Sequence, residues 1–303
     1  MNQNCLFCGS SQLRKSGVTS KANLLREYKK TFGLTFPPSI LESSFAFERI
    51  VTFECLACGT VTFRPQILGD GSYYDFLSKN LAWYYSESRW EYPIALEVLE
   101  KENAARFLEI GCGDGHFLRL ARRRGHEGHG SELNPHSVER LRSSGFEVIT
   151  NFERDLGNGE YDSLVMFQVL EHLADPYSIL KTMIPYIRSR GTIILTTPVT
   201  PSCCATIARP TLLMPPHHQS LPTVLGFKRL ADRIGCVCED IRFEPSDVSQ
   251  IEFGLRKRFG FVPYFGRCSR RLAGLTLKIA RVMRCDWAGV GHTALVVFRV
   301  PSR

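Results

Sequence analysis

Several features that would assign a protein class at once are missing from this 303-residue chain. It has no long, unbroken apolar run. Gly191 to Ala208 carries no charge, but threonines, a serine, Pro198 and Pro201 interrupt it. That stretch reads as strand and loop rather than a membrane span. The start, Met1-Asn2-Gln3-Asn4-Cys5, lacks the basic-then-apolar pattern of a signal peptide, so a cytoplasmic location is expected. No internal repeat and no low-complexity tract is visible. Disordered and fibrous classes are excluded by 44% apolar and 22% charged residues. Acidic residues are in deficit, 30 against 38 basic, giving a net charge of +8. Such a surface suits a negatively charged partner: nucleic acid, anionic lipid or a phosphorylated substrate.

Cysteine, in contrast, is plentiful, with 11 residues. In a cytoplasmic protein these read as thiols or metal ligands rather than disulfides. Four form two near copies, Cys5-Leu6-Phe7-Cys8-Gly9 and Cys55-Leu56-Ala57-Cys58-Gly59. Each C-x-x-C can bend into a knuckle offering two thiolates, and the following glycine permits the tight turn. Cys5, Cys8, Cys55 and Cys58 therefore read as a closed structural zinc site. The 46 residues between Cys8 and Cys55 require an insertion between the knuckles. The other seven cysteines have no ligand-like grouping and read as small buried hydrophobes.

Three stretches differ in character. Residues 1–68 hold both cysteine pairs, show no strong helical period and read as a zinc-binding lobe. Residues 69–104 are aromatic and read as a helical linker. From 105 to 303, short apolar strands alternate with helical segments, which predicts a parallel sheet covered by helices. Strands are expected at Arg106–Ile110, Glu127–Glu132, Glu147–Thr150, Ser163–Phe167, Thr192–Thr197, Val237–Phe243 and Thr293–Val300. Helices are expected at Gly115–Arg124, Pro135–Ser144 and Pro176–Ile187, the last two opening on a first-turn proline.

The first strand runs into Glu109-Ile110-Gly111-Cys112-Gly113-Asp114-Gly115. Glycines there allow a sharp turn and close approach of backbone to a ligand. His116 stands where a dinucleotide G-x-G-x-x-G fingerprint needs glycine, and no P-loop Gly-Lys-Ser/Thr follows. What remains is E-x-G-x-G-x-G.

That motif resembles the first motif of class I S-adenosylmethionine (SAM)-dependent methyltransferases. The resemblance continues in order: Gly130-Ser131-Glu132 at the second strand end, Tyr161-Asp162 before the fourth strand, Phe167-Gln168-Val169-Leu170-Glu171-His172 after it, and Gly191-Thr192-Ile193-Ile194 entering the fifth. It implies an α/β, Rossmann-like seven-stranded SAM-methyltransferase sheet with its last strand antiparallel. It implies SAM as cofactor, held by Glu109, Gly111, Gly113, Gly115, Glu132, Asn151, Phe152, Phe167 and Gln168. Glu132 would accept the ribose hydroxyls by charge-assisted hydrogen bonds. The family's acidic residue near adenine is replaced by Asn151-Phe152-Glu153, so Asn151 or Phe152 takes that place. The zinc pairs, Trp90-Glu91-Tyr92 and Pro215-Pro216-His217-His218 add a narrower resemblance to bacterial zinc-containing methyltransferases of sugar, polysaccharide and natural-product biosynthesis.

Ligands of such sheets lie outside the carboxyl ends of the strands. Residues after the fourth and fifth strands then face the acceptor, which singles out Glu171, His172, His217 and His218 as catalytic candidates. Prolines 215 and 216 stiffen a loop whose histidines suit a base poised near neutral pH. Arg256 to Arg284 holds nine basic residues and no acidic one. It reads as a basic helical insertion within about 250–286, either a surface helix on the sheet or a weak contact with an anionic membrane surface through 256–284. The expected activity is methyl transfer to oxygen or carbon of a sugar, glycan precursor or secondary-metabolite acceptor. The alternative is an RNA methyltransferase whose zinc lobe grips RNA. It is disfavoured because no N-P-P-Y-like motif follows the fourth strand and the basic residues lie away from the cysteines.

Overall fold

The computed structural model describes residues 4–82, 84, 87–202, 211–245, 274–275 and 291–302. The basic stretch 256–284, residues 274–275 apart, lies outside the described residues.

A small antiparallel sheet comes first. Strand β1 (Leu13–Ser20) pairs with β2 (Arg49–Cys55), which pairs with β3 (Val61–Arg64). The β1–β2 register runs from Leu13 opposite Cys55 to Ser20 opposite Arg49. Because the ladder brings the chain back on itself, the long spacing between the cysteine pairs costs no separation in space. The insertion between the knuckles includes helices α1 (Lys21–Phe32) and α2 (Pro38–Ser44) at the far end of this hairpin. Helix α1 goes beyond the sequence reading, which saw no strong helical period before residue 69. Its signals are local: Ser20 accepts a capping bond from the Asn23 N–H, and Gly33 ends it at φ +71°. Only Leu24 and Tyr28 of its twelve residues are buried, which leaves little periodicity to read.

Helices α3 (Gly71–Asn80) and α4 (Glu91–Lys101) form the aromatic linker. The large sheet then contains β4 (Arg106–Ile110), β5 (Glu127–Ser131), β6 (Val148–Ile149), β7 (Tyr161–Phe167), β8 (Ile187–Pro198), β10 (Val237–Phe243) and β11 (Thr293–Arg299). Its order is β10-β11-β8-β7-β4-β5-β6. The pairs from β6 through β8 are parallel, and β11 runs antiparallel to both neighbours. All seven expected strands are present; the third is reduced to two residues.

Helices α5 (His116–Arg123), α6 (Pro135–Ser143), α7 (Phe152–Asp155) and α8 (Pro176–Met183) connect the parallel strands. Asn134 and Asp175 cap α6 and α8 just before their first-turn prolines. The sheet buries both faces, as a parallel sheet must. Leu108, Met166, Leu195 and Val296 face one cluster, while Phe107, Val165, Ile194 and Leu295 alternate onto the other.

The two sheets are joined in the core. Cys5, Phe7, Cys55 and Cys58 share one buried cluster with β7, β8 and the Val224–Ile234 helix. Arg233 from that helix donates to Phe7 O at 2.8 Å, and Thr223 donates to Cys58 O at 2.5 Å. The small sheet gains its fourth strand, β9 (Ser220–Leu221), from the loop that follows β8. That loop carries His217 and His218, so the cysteine-bearing sheet positions the histidines.

Candidate active site

The loop after β4 is held open by glycine. A Cβ on Gly111 would lie 2.6 Å from Val169 Cγ2, and Gly111 takes φ +70°. Gly113 sits at φ +51° with open space around its missing Cβ. The cradle wall is therefore bare backbone, as close ligand approach needs. Gly115 is the left-handed cap of α5. The Gly113 N–H donates to Glu132 Oε2 at 2.9 Å. Glu132 Oε1 accepts the Leu133 and Asn134 N–H groups, each at 2.8 Å. A carboxylate has about four acceptor positions, so one stays available to a hydroxyl. Leu133 beside it is 97% exposed.

Glu109 lies at the end of β4 and is buried, and its Oε2 has no hydrogen-bond partner. Burial pushes its carboxyl up to about 8; Arg89 opposes this and Glu132 adds to it. Asn151 spends its side-chain oxygen capping α7 through the Arg154 N–H at 3.0 Å. Phe152 is half-buried against the core. The Phe167 ring packs on Phe117 and Tyr92, with centroids 4.7 and 5.0 Å away. Gln168 is held at φ +56°, a conformation a non-glycine residue adopts at a cost. Its N–H donates to Thr196 O at 2.9 Å and its amide to Thr196 Oγ1 at 3.3 Å.

The structure brings the four catalytic candidates together from two loops. A short 3-10 turn after β7, Leu170–His172, meets the 211–221 loop. The Gln219 N–H donates to Glu171 O at 2.7 Å, and His172 Nδ1 bonds His217 O at 2.6 Å. Ring centroids of His172, His217 and His218 are 4.4–4.8 Å apart. Glu171 is 0% exposed, and neither carboxylate oxygen makes a well-formed hydrogen bond, although its own N–H and the Thr197 hydroxyl act to lower its carboxyl. Burial raises its carboxyl to about 8. Burial also lowers His172 to about 4, and burial with the neighbouring imidazoles takes His217 and His218 well below 6.5. Neutral imidazoles at pH 7 replace the near-neutral titration expected from the sequence. Removal from water and the neighbouring imidazoles both disfavour the charged form.

Glycine loop, Glu132, Gln168 and the histidine cluster all stand at the carboxyl ends of parallel strands, beside the point where β4 separates β5 from β7. In this architecture that is where ligands bind. The family model described as "Methyltransferase domain" matches residues 83–241, more than half of the chain. The chain belongs to this methyltransferase family. Its fold is that of the class I SAM-dependent enzymes.

Among solved structures, the methyltransferase is similar to a SAM-dependent methyltransferase from Archaeoglobus fulgidus, 17% identical, with a TM-score of 0.50. That match covers 75% of this chain and 99% of the other. It is also similar to an S-adenosylmethionine-dependent methyltransferase from Mesorhizobium loti, 17% identical, with a TM-score of 0.47, covering 69% and 97% of the two chains. No curated protein matches the sequence significantly. Among the described residues, no helix is long and apolar enough to cross a membrane.

The methyltransferase also brings its four knuckle cysteines together. Cys5 Sγ lies 3.6 Å from Cys58 Sγ, and Cys8 Sγ lies 3.4 Å from Cys55 Sγ. All four sulfurs fall within 4.8 Å of one another. Four ligands 2.3 Å from a tetrahedral ion stand about 3.8 Å apart, so this donor set fits zinc closely.

Several residues beside the site are given no site role by the sequence reading. Tyr84 OH bonds His217 Nε2 at 2.8 Å, and Tyr74 OH bonds His172 Nδ1 at 3.1 Å. Glu91 is 2% exposed, with its carboxyl raised by burial and Arg89 3.7 Å away. The dense aromatic run of the linker was the available signal. Its composition announced burial without saying against what.

Proposed function

We propose that the methyltransferase moves a methyl group from SAM to an oxygen or carbon of a small acceptor: a sugar, a glycan precursor or a secondary metabolite. SAM supplies the methyl on a sulfonium, a good leaving group. The observation that carries the reading is the Glu132 carboxylate, which gathers the Gly113 N–H and keeps one acceptor position for a ribose hydroxyl. Gly111, Gly113 and Gly115 form the cradle. Glu109 stands behind it, and Asn151, Phe152, Phe167 and Gln168 border it. The bare Leu133 side chain offers apolar surface for a ring to cover.

Glu171, His172, His217 and His218 form the acceptor wall. His217 is the best-built proton acceptor. Its Nδ1–H donates to Leu212 O at 2.9 Å, which leaves the lone pair on Nε2, toward Tyr84 OH. Lining by buried imidazole, tyrosine and carboxyl groups supports a small hydroxyl-bearing acceptor over an RNA strand, which would need an open, basic groove. One structural zinc on Cys5, Cys8, Cys55 and Cys58 completes the reading. A closed four-sulfur shell has no position for water and so does no chemistry.

Calorimetry with SAM tests this. Glu132→Ala should weaken binding by about 1.5–3 kcal/mol, the loss of one charge-assisted set of bonds. Tight NADH binding without SAM binding would overturn the reading. Methylation of RNA but of no small hydroxylated acceptor would overturn the acceptor class.

A further inference from the structure

We propose that His172, His218 and Glu171 form a second metal site, built for a divalent first-row transition ion and distinct from the four-thiol cluster. The proposal goes beyond the methyl-transfer reading, although the site lies in the proposed acceptor wall.

Geometry is the first argument. His172 Nε2 and His218 Nε2 lie 4.0 and 3.8 Å from Glu171 Oε1. One ring nitrogen from each of His172, His217 and His218 lies within 4.8 Å of the others. Donors bound about 2.1 Å from a tetrahedral ion stand about 3.4 Å apart. The two distances to Glu171 Oε1 exceed that spacing by roughly half an ångström.

The outer contacts are the second argument. A metal-bound histidine nearly always donates its other N–H to a carbonyl or carboxylate, which fixes its tautomer. His172 does this: Nδ1–H donates to His217 O at 2.6 Å, leaving the Nε2 lone pair toward Glu171.

The third argument is an unmet need. Glu171 is wholly buried and neither of its oxygens makes a well-formed hydrogen bond, although its own N–H and the Thr197 hydroxyl act to lower its carboxyl. Leaving a buried polar group unsatisfied is costly, and more so when it is charged. A bound cation supplies the missing partner. Two imidazoles and a carboxylate suit zinc, iron, cobalt, nickel or manganese, whereas magnesium and calcium prefer all-oxygen shells. Three protein ligands also leave coordination positions open, unlike the four-sulfur shell.

Cobalt(II) and zinc are the probes. The full chain, loaded with Co²⁺ and freed of excess, should bind one ion more than the knuckles can hold. The extra ion should add weak visible d–d bands without the near-ultraviolet thiolate charge-transfer band. Glu171→Gln and the double variant His172→Ala/His218→Ala should each lose that ion and those bands, while the charge-transfer band stays. Because buried substitutions can disturb folding, SAM calorimetry is run on the same samples. Lost metal with retained SAM binding supports the site. Wild-type protein binding no ion beyond the thiolate-bound one, or variants binding as many ions as wild type, would overturn it. Absent SAM binding in wild type sinks the methyl-transfer reading and leaves the metal count untouched.

Discussion

The methyltransferase contains two donor clusters that differ in nearly every physical respect. The thiol cluster is built from two short, near-identical loops and lies in a hydrophobic core. The histidine cluster is built from neighbours in space, Glu171-His172 and His217-His218, supplied by loops after different strands. The first presents four soft donors at close to the spacing a tetrahedral zinc shell requires. The second presents imidazoles, one carboxyl without a well-formed hydrogen bond, and tyrosine hydroxyls at the strand ends. Donors that close a shell stabilise a fold. Donors that leave positions open are suited to chemistry. The 211–221 loop connects the clusters, since β9 extends the cysteine-bearing sheet immediately after His218.

The largest expected effect tests the structural side. Zinc–thiolate sites supply about 10–16 kcal/mol of binding free energy in small modules. Cys58→Ser, or a strong chelator, should therefore unfold the small sheet. Because Cys5, Cys55 and Cys58 share a core cluster with β7 and β8, the large sheet should melt in the same transition. Differential scanning calorimetry would show it; two separate transitions would mean that the thiol cluster stabilises its own sheet alone.

The next effect tests the chemical side. His217→Ala should lower single-turnover methyl transfer about 10²–10⁴-fold, with SAM affinity nearly unchanged. A wild-type rate would remove His217 from proton transfer and leave its bond to Tyr84 a packing feature.

Glu109 gives a smaller effect, read as pH dependence. Its carboxyl is raised to about 8 by burial, with Arg89, Glu132, Tyr92 and Cys112 as its charged and titratable neighbours. The folded state therefore holds a proton that the unfolded chain releases near 4.5. Stability from this group is fully present below that value and is lost as pH rises toward 8. Chemical denaturation of Glu109→Gln should show that slope flattened, by a few kcal/mol in total. An unchanged slope would mean that water or a neighbouring cation reaches Glu109.

Much of this was legible in the sequence because it depends on local rules. Strands such as Arg106–Ile110 and Val237–Phe243 begin and end where the apolar pattern says. The order of glycine loop, acidic strand end and Phe167–His172 segment identified the fold. Helix α1 escaped because two buried positions in twelve leave almost no period, and its evidence was confined to its caps. The imidazole titration is not legible in the sequence, because a side chain's pKa follows from burial and neighbours, neither of which is sequential.

The sequence by itself determined the seven strands, the bare-backbone turn at Gly111–Gly115 and the pairing of Cys5-Cys8 with Cys55-Cys58. Each depends on residue type and short spacing, through alternation, missing Cβ atoms and knuckle geometry. Tertiary structure alone decided that Glu171 and His172 meet His217 and His218, that Tyr74 and Tyr84 bond the histidine rings, and that the knuckles share a core with the large sheet. Those contacts join residues tens to more than a hundred positions apart. They exist because parallel strands deliver their loops to one edge, and a ladder from β3 to β9 ties the histidine loop to the small sheet.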